Sequence, residues 1–266
     1  MAYRKPTKKS LGQHFLRDPY IIDRILQLVD PITDDCVVEI GPGSGCLTDQ
    51  MARLVKQLIA VEIDRDCVAH CRSQYADMPH VSVVHADFLE MASTVLPESF
   101  RPCRWVGNLP YNVSVPILLK LSEWVDWVKD GHFLVQKEVS QRCCAGVGEQ
   151  HYGRLGIVLQ CTFTVEPVLS VPPEAFDPPP KVDSEMFILR PLIDSKRHYL
   201  SHPVFSDVLV RSFSHRRKTM RKIFQGLITD ADWDSMSIDA QLRPQMIHRD
   251  EFYQIACCLD DQIASS

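Results

Sequence analysis

The sequence lacks any long apolar run: within its 266 residues, no stretch approaches the roughly 18 to 20 residues of a membrane-spanning helix. We therefore exclude an integral membrane protein. The basic start, Met1–Ser10, is followed by no apolar leader segment, so we expect no secretory signal. Internal repeats and low-complexity segments are also missing. The ten cysteines then indicate free thiols in a cytoplasmic protein rather than a disulfide scaffold.

Acidic residues are missing from two basic stretches, residues 1–17 and 211–222, although the whole chain carries 34 acids against 29 bases. The net charge of −5 argues against a simple nucleic-acid binder. Stretches of this kind nevertheless favour contact with RNA phosphates over a merely solvated surface. We expect the second stretch to lie on a helix whose apolar side packs inward. Its candidate RNA contacts are Arg216, Arg217, Lys218, Arg221 and Lys222.

Short apolar runs alternate with amphipathic stretches through the first part of the chain. This alternation predicts an α/β fold with a mainly parallel, Rossmann-like sheet and helices on both of its faces. The predicted strands are Cys36–Ile40, Leu58–Ile63, Val81–His85, Arg104–Val106 and His132–Val135. The predicted helices include Asp18–Val29, Leu47–Val55 and Val115–Val125. Thr162–Val168 and Met186–Leu189 are expected to pair as an antiparallel edge.

Five prolines between Pro172 and Pro180 predict an extended loop, because proline disrupts the interior of a helix or a strand. After Pro191 the pattern becomes helical, with predicted helices at Val204–Phe213, at Lys218–Leu227 and after Arg249. We therefore predict two domains. Residues 1–192 form a catalytic domain that binds the cofactor, and residues 193–266 form a small all-α domain that contacts RNA.

A predicted strand runs into a glycine-rich turn at residues 37–45, and a helix follows from about Leu47. Glycines let a backbone approach a ligand closely, although a tight turn without a ligand is the alternative. The last glycine of the dinucleotide-binding pattern is missing, since Cys46 stands in its place. Glu39 would repel a pyrophosphate but attract a cation. The segment Glu39-Ile40-Gly41-Pro42-Gly43 resembles the loop of S-adenosylmethionine-dependent methyltransferases, whose cofactor carries a sulfonium and an ammonium.

Carboxylates follow the next two predicted strands. Glu62 closes the second strand, where a carboxylate can accept both hydroxyls of a ribose. Asp87 follows the third strand and is placed to accept from an adenine amino group, with Phe88 flanking the ring. We expect Asp64 and Asp66 to be solvated loop acids. A ribose-binding acid also occurs in NAD enzymes, so Glu62 alone does not identify the cofactor.

The fourth predicted strand ends in Asn108-Leu109-Pro110-Tyr111, which we predict to be catalytic. An adenine N6 amine is a poor nucleophile, because its lone pair is delocalised into the ring. The side-chain oxygen of Asn108 and a backbone carbonyl freed by Pro110 can accept the N6–H groups and draw the nitrogen toward tetrahedral geometry. Tyr111 offers a ring on which an unpaired base can stack. No Pro-Cys motif, which carbon methylation of pyrimidines typically needs, is present here.

With these motifs the chain resembles, nearly end to end, the KsgA family of small-subunit ribosomal RNA adenine dimethyltransferases, relatives of the Erm methyltransferases. The matching segments are Leu11-Gly12-Gln13-His14-Phe15-Leu16, Glu39–Gly43, Gly107–Asn112, Gln136–Val139, Tyr152–Leu155, Phe176–Ser184 and Arg216–Thr219. The last two segments favour KsgA over Erm.

The resemblance implies S-adenosylmethionine-dependent N6,N6-dimethylation of two adjacent adenosines in a hairpin near the 3′ end of small-subunit (16S) rRNA, during small-subunit biogenesis. The implied cofactor contacts are His14, Leu16, Gly41, Glu62, Asp87 and Asn108. The family often has Asn at the position of His14. Phe176 is a candidate for the second face of an aromatic sandwich around the target base, opposite Tyr111, and a purely structural role is its alternative. Lys181 is a candidate contact for RNA phosphate.

Other functions remain open at this point. One is a ribosome-assembly factor that binds the immature small subunit, with methylation incidental, and the KsgA family is thought to combine both roles. A DNA adenine methyltransferase shares the type of motif at Asn108, but the chain has no evident target-recognition domain. Cys67, His70 and Cys71 match no closed four-ligand zinc site, so we expect no metal. We expect a monomer with no membrane partner.

Overall fold

The structure is a computed structural model that describes residues 13–193 and 196–264. The basic residues of the first stretch up to Lys9, and Leu11 and Gly12 of the first matching segment, lie outside the described residues. The described part divides into two compact units. The sheet unit comprises residues 13–140 and 164–191, and the helical unit comprises residues 141–163, 192–193 and 196–264.

The described residues form nine β-strands. They are β1 (Phe15–Leu16), β2 (Cys36–Ile40), β3 (Gln57–Glu62), β4 (Val81–His85), β5 (Cys103–Asn108), β6 (Val128–Gln136), β7 (Phe163–Val171), β8 (Phe176–Asp177) and β9 (Ser184–Pro191). Seven of them form one sheet in the order β4-β3-β2-β5-β6-β9-β7. The pairs from β4 through to β6 are parallel, and β9 runs antiparallel to β6. The parallel strands all end at one edge of the sheet, where ligands bind in folds of this kind.

The five strands predicted before the antiparallel edge are confirmed, and two of them, β5 and β6, are longer than expected. β6 extends beyond its apolar run because its charged residues Lys129 and Asp130 find partners inside the fold. Arg104 donates to Asp35 at 2.9 Å and to Asp130 at 2.9 Å, and Lys129 donates to Asp35 at 2.7 Å. β5 gains Cys103, Gly107 and Asn108, which pair with β6. The two strands expected to form the edge are neighbours, since β7 lies next to β9.

The described residues form eleven α-helices. They are α1 (Pro19–Val29), α2 (Thr48–Met51), α3 (Arg65–Gln74), α4 (Ser114–Glu123), α5 (Lys137–Cys144), α6 (Arg154–Gln160), α7 (Arg197–Leu200), α8 (Phe205–Ser214), α9 (Met220–Ile223), α10 (Asp230–Met236) and α11 (Arg249–Ala264). α1 shows why such segments fold locally. Pro19 suits the first helical position, and Asp18 caps the helix by accepting two backbone N–H groups. The buried face of α1 comprises Ile21, Ile25 and Val29, one turn apart.

Two predicted helices are shorter than expected. In Leu47–Val55 only α2 is α-helical, because the N–H groups of Arg53 and Leu54 bond three residues back rather than four. In Lys218–Leu227 only α9 is helical. Thr219 has an extended backbone before α9, and Gly226 has a φ of +81° after it, so neither end can be prolonged.

The proline-rich segment is more ordered than the extended loop that we predicted. Residues Pro173–Ala175 form a 3₁₀ turn that begins with proline, and β8 follows directly. Phe176 and Asp177 still carry backbone N–H groups, so they can pair antiparallel with β1.

The helical unit includes a segment that we expected to belong to the sheet domain. Residues 141–163 pack with the helices that follow Pro191, in a core cluster to which Tyr152, Ile157 and Cys161 contribute. Tyr152 also donates a hydrogen bond from its hydroxyl to the carbonyl oxygen of Ile247 at 2.9 Å. The sheet unit is therefore discontinuous in sequence and differs from a single domain over residues 1–192.

Among residues 13–193 and 196–264, none of the helices combines the length and the apolar character of a membrane-spanning segment.

Candidate active site

The ends of β2, β3, β4 and β5 and the N-terminal segment of the sheet unit line an open cleft. It holds about 1080 Å³ of empty space, open mouth included. This matches the size and the position of ligand sites in α/β sheets. The cleft is lined by Gln13–Leu16, Glu39–Ser44, Cys46, Leu47, Val61–Ile63, Ala86–Leu89, Asn108–Val113 and Ile117. Every predicted cofactor and catalytic residue therefore lies at this one cleft.

The glycine loop after β2 needs glycine for two separate reasons. Gly41, Gly43 and Gly45 all have positive φ, between +56° and +84°, a region that side chains disfavour. A Cβ atom on Gly43 would also lie 2.9 Å from the ring of Phe15. The loop can therefore bring its backbone against the cleft only with glycine at these positions.

Glu62 holds this loop and also faces the cleft. Its Oε2 accepts from the backbone N–H of Gly43 at 3.0 Å, and its Oε1 accepts from that of Asp64 at 2.8 Å. The side chain is 5% exposed, and burial raises the pKa of its carboxyl group. Each oxygen keeps a further acceptor position for the hydroxyls of a ribose.

Asp64 is buried, which makes our expectation of a solvated loop acid wrong. It caps α3 by accepting from the backbone N–H of Asp66 at 3.0 Å, and it accepts from the side chain of Gln13 at 3.1 Å. The two partners compensate the carboxylate for its loss of water.

Glu39 is a buried acid, 2% exposed, in the wall of the cleft. It accepts from the Thr48 hydroxyl at 2.6 Å, and no basic side chain of the described residues pairs with it. Burial raises the pKa of Glu39 to about 7. A buried carboxyl group without a cationic partner suits a cationic ligand beside it.

Asp87 and Phe88 follow β4, as expected. Asp87 accepts from the backbone N–H of Leu89 at 2.8 Å through Oδ1. Phe88 is buried, and its ring packs edge to face against Trp105 at 5.8 Å and Trp124 at 5.3 Å. Phe88 thus lines the cleft while it belongs to an aromatic cluster.

The amide of Asn108 has its orientation set by the backbone. Its Nδ2 donates to the carbonyl oxygen of His14 at 3.0 Å, so the side-chain oxygen is left as an acceptor at the cleft. No described residue donates to the carbonyl oxygen of Leu109, and Pro110 has no N–H. The predicted pair of acceptors, one side chain and one backbone, is therefore present.

Tyr111 is held at both its hydroxyl and its ring. The hydroxyl shares a hydrogen bond of 2.6 Å with Ser184 Oγ, and burial raises its pKa. The ring of His14 stacks on the Tyr111 ring, with centroids 5.2 Å apart and planes 28° from parallel. His14 also donates from Nδ1 to the carbonyl oxygen of Pro178 at 2.8 Å.

Phe176 does not take the position that we predicted for it. It is 3% exposed, belongs to a core cluster with Leu16 and Met186, and is absent from the cleft lining. The ring that faces Tyr111 is that of His14 instead. Pairing of β8 with β1 buries Phe176, which agrees with the structural alternative. Lys181 is exposed.

The basic stretch 211–222 lies in the helical unit but not on one helix. It spans the end of α8, a turn and α9, because Thr219 is extended. The basic residues also differ in their partners. Arg216 donates to the carbonyl oxygen of Gln150, and Arg221 forms an ion pair with Asp230. The remaining exposed cations, for which no partner exists among the described residues, are Arg217, Lys218 and Lys222.

The cysteines form neither disulfides nor a metal site in the described part of the chain. All ten are free thiols, and no group of three or more potential ligands is arranged to hold a metal ion there. Cys71 instead donates from Sγ to the carbonyl oxygen of Gly43 at 3.7 Å.

Sequence reasoning assigned no role to Thr48 and Ser184. Thr48 is the first residue of α2, shortly after the glycine loop, and from there its hydroxyl can reach back to Glu39. Ser184 ends the segment Phe176–Ser184 that resembles the KsgA family, and its proximity to Tyr111 depends on the pairing of β9 with β6. The contact of Thr48 with Glu39 could have been predicted from the short spacing between the two residues. The contact of Ser184 with Tyr111 had no signal in the sequence beyond the resemblance to the family.

Comparison with known proteins agrees with this geometry. The family model for ribosomal RNA adenine dimethylase matches residues 4–261. The ribosomal RNA small subunit methyltransferase A of Xanthomonas oryzae pv. oryzae (strain PXO99A) is 40% identical over 255 residues, which cover 96% of this chain and 97% of the relative.

Two crystal structures share the fold. A dimethyladenosine transferase from Plasmodium falciparum has a TM-score of 0.77 at 24% identity, covering 94% of this chain and 98% of its own. The 23S rRNA methyltransferase ErmE has a TM-score of 0.65 at 24% identity, covering 92% of this chain and 99% of its own. These two likenesses show the fold, and the family model and the curated relative show more: the chain belongs to the ribosomal RNA adenine dimethylase family.

Proposed function

We propose that the chain is an S-adenosylmethionine-dependent enzyme that dimethylates N6 of two adjacent adenosines in a hairpin near the 3′ end of 16S rRNA. It acts as a monomer in the cytoplasm, during small-subunit biogenesis. The observation that carries the proposal is the fixed amide of Asn108, whose free oxygen lies in the same cleft as Glu39, Glu62 and Asp87. The name of the Xanthomonas relative supports the small-subunit substrate.

The residues of the cleft fit S-adenosylmethionine. Glu62 has acceptor positions left for the ribose hydroxyls, and Asp87 has one oxygen left for the adenine amino group. Glu39 supplies a carboxyl group without a cationic partner on the side of the glycine loop. Leu16 and Phe88 form an apolar part of the wall of the cleft. Bound there, the cofactor supplies a methyl group activated by its sulfonium.

The chain's own residues prepare the adenine for reaction. Asn108 Oδ1 and the Leu109 carbonyl oxygen accept the two N6–H groups, which localises the lone pair on N6. N6 so held would be the nucleophile toward the methyl group that bound S-adenosylmethionine would supply, and the proton lost from N6 would leave to solvent. Because the leaving group is good, no strong base is needed, and the acceleration comes mainly from orientation.

RNA binding uses both the cleft and a charged surface. Tyr111 provides a stacking platform for the target base, with an expected contribution of about 1–3 kcal/mol. Lys181 is exposed and free to approach a phosphate. In the helical unit, Arg217, Lys218 and Lys222 carry positive charge that the described residues do not neutralise. Contacts to phosphates position an RNA without reading its sequence.

The unpaired cations also favour a second candidate function. A ribosome-assembly factor that binds the immature small subunit, with methylation incidental, would use the same charged surface. The two functions differ in their dependence on Asn108, since subunit binding through the helical unit does not require that side chain.

The test is transfer of labelled methyl groups from S-adenosylmethionine to undermethylated small ribosomal subunits. We expect wild type to incorporate two methyl groups on each of two adenosines, and Asn108→Ala to lose more than about 100-fold in rate, as for loss of one preorganised transition-state contact. Ser73→Ala, at an exposed position of α3, is the control and should match wild type. No incorporation by wild type, with subunit binding intact, would favour the assembly factor.

A further inference from the structure

His14 makes three contacts through three different atoms or groups. Its ring stacks on Tyr111, its Nδ1 donates to the carbonyl oxygen of Pro178, and its own carbonyl oxygen accepts from Asn108. The side chain is half-buried. Both groups that we assign to the target adenine, the Tyr111 ring and the Asn108 amide, are thus in contact with one residue.

The stacking distance shows that one face of the Tyr111 ring is covered by His14. Aromatic rings in contact have centroids about 4.5–7 Å apart, and His14 and Tyr111 are 5.2 Å apart. A base inserted between them would need roughly twice a stacking distance, since it would have to contact both rings. The His14 side of Tyr111 is therefore closed to a base.

The anchors of both rings favour a fixed arrangement. The hydrogen bond to Pro178 stops the His14 ring from rotating away, and the hydrogen bond to Ser184 holds the Tyr111 ring at its other end. A side chain that is already immobile loses little conformational freedom when a ligand binds. A base that stacks on Tyr111 thus meets a platform that is already ordered.

We propose that His14 is a positioning residue for the target base: it backs one face of Tyr111, so the adenine stacks on the opposite face while its N6 meets the oxygen of Asn108. This role rests on the proposed function. It concerns the RNA substrate and is separate from the cofactor contact that the resemblance implies for His14. In place of the Phe176–Tyr111 sandwich, the base stacks on one face of Tyr111 while His14 covers the other face.

Three variants separate stacking from hydrogen bonding. His14→Phe keeps a ring on Tyr111 but loses the Nδ1 donor, and His14→Asn keeps a donor but loses the ring. His14→Ala loses both, and all three keep the backbone carbonyl that orients Asn108. His80→Ala is the matched control, because His80 also bonds a carbonyl oxygen, that of Ala52 at 2.6 Å, but lies outside the cleft.

The first readout is steady-state methylation of small subunits. We expect His14→Ala and His14→Asn to raise the KM for the subunit about 3- to 10-fold, which is the cost of ordering one or two side chains. The kcat should stay within about threefold in the His14 variants, His14→Phe should raise the KM less than His14→Ala does, and His80→Ala should stay near wild type. Titration with S-adenosylhomocysteine measures the implied cofactor contact of His14 separately, and a loss of that affinity as large as the rise in KM would overturn the role in base positioning.

The second readout does not require methylation. An RNA hairpin with 2-aminopurine at the target position should lose fluorescence when the base stacks on Tyr111. We expect the quenching with wild type and His14→Phe, and about half of it or less with His14→Ala and His14→Asn. Thermal unfolding verifies that each variant is folded.

Two results would overturn the role of His14. One is a His14→Ala variant whose quenching is as strong as in wild type or stronger, and whose KM is unchanged or lower. The His14 ring would then only occupy a place that the base takes when it binds. The other is a folded His14→Phe that is as impaired as His14→Ala. If wild type quenches 2-aminopurine but transfers no methyl group, the proposed function fails while the role of His14 in base stacking is still decided.

Discussion

Glu62 at the end of β3 accepts a hydrogen bond from the backbone N–H of Gly43, 3.0 Å away in the loop that follows β2. The same carboxylate accepts from the N–H of Asp64, which starts the turn into α3. One buried acid therefore holds two loops at the edge of the sheet. The acid that we assign to the ribose is also the residue that shapes its surroundings.

We predict that Glu62→Gln lowers the affinity for S-adenosylhomocysteine about 10- to 100-fold. The amide nitrogen cannot accept the N–H that one carboxylate oxygen now holds, and hydrogen bonds to charged groups contribute about 1.5–3 kcal/mol. Isothermal titration calorimetry measures the change. Glu123→Gln, at an exposed position of α4, is the control. Equal affinities for the Glu62 and Glu123 variants would exclude a ribose role for Glu62.

We predict that the free energy of unfolding falls as the pH rises from about 4.5 to about 7. Burial raises the pKa of Glu39 from its ordinary value of 4.5 to about 7, so in this window the folded protein holds a proton that the unfolded chain has lost. The effect is at most about 3 kcal/mol. The raised pKa of Glu62 acts in the same direction. Glu39→Gln should flatten the profile.

Urea titrations between pH 4.5 and pH 8 measure this dependence, with Glu123→Gln as the control. Asp130 does not interfere: burial would raise its pKa, but hydrogen bonds from His132 and Arg104 bring it to about 2, so its contribution is lost only in more acidic solution. A slope in Glu39→Gln that equals the wild-type slope would mean that another group titrates.

Alanine at three glycines should separate backbone strain from close contact. A Cβ atom on Gly146 would have no neighbour within 4 Å, and the backbone there has no positive φ. Gly146→Ala should therefore change the free energy of unfolding little. Gly226→Ala is also open but has a φ of +81°, with a cost of about 1–2 kcal/mol. Gly43→Ala adds the contact with Phe15 to its φ of +56° and should cost more than either.

Urea denaturation gives the order of the three variants, and only Gly43→Ala should also lose cofactor affinity. If Gly226→Ala were as damaging to cofactor binding as Gly43→Ala, the effect would be one of overall stability and not of the loop.

The double variant Arg217→Ala/Lys218→Ala should weaken binding to small subunits and reduce its salt dependence. Each lost phosphate contact removes about 0.7–0.9 from the slope of log K against log salt concentration, so we expect a slope lower by about 1–2. Arg221→Ala should change less, because Arg221 pairs with Asp230. Filter binding at about 50–200 mM salt measures both, and a larger effect of Arg221→Ala would contradict this assignment.

Much of the sheet and of the cofactor side of the cleft can be predicted from the sequence. Buried parallel strands are short apolar runs, and the polar residue that ends each run, such as Glu62 or Asn108, is placed by topology alone. Glycine with a preceding acid indicates the loop in the same local way. These features depend on periodicity and on residue type within a few positions.

Contacts between distant segments are different. Asn108 and His14 are 94 positions apart, and nothing in either segment indicates that an amide meets that carbonyl. The burial of Phe176 depends on its pairing with β1, and an aromatic residue in a proline-rich stretch is compatible with either a core or a base-binding role. The helix at Lys218–Leu227 was predicted too long, because amphipathic spacing does not reveal that the backbone of Thr219 is extended.

The membership of residues 141–163 in the helical unit bears on how this chain can be divided. A cut after Pro191 would separate Tyr152, Ile157 and Cys161 from the residues that bury them, so the fragment that keeps the sheet would present an apolar surface to water. Swapping C-terminal halves between relatives would likewise combine parts of two different cores. A chimera must therefore carry residues 141–163 along with the helices after residue 191.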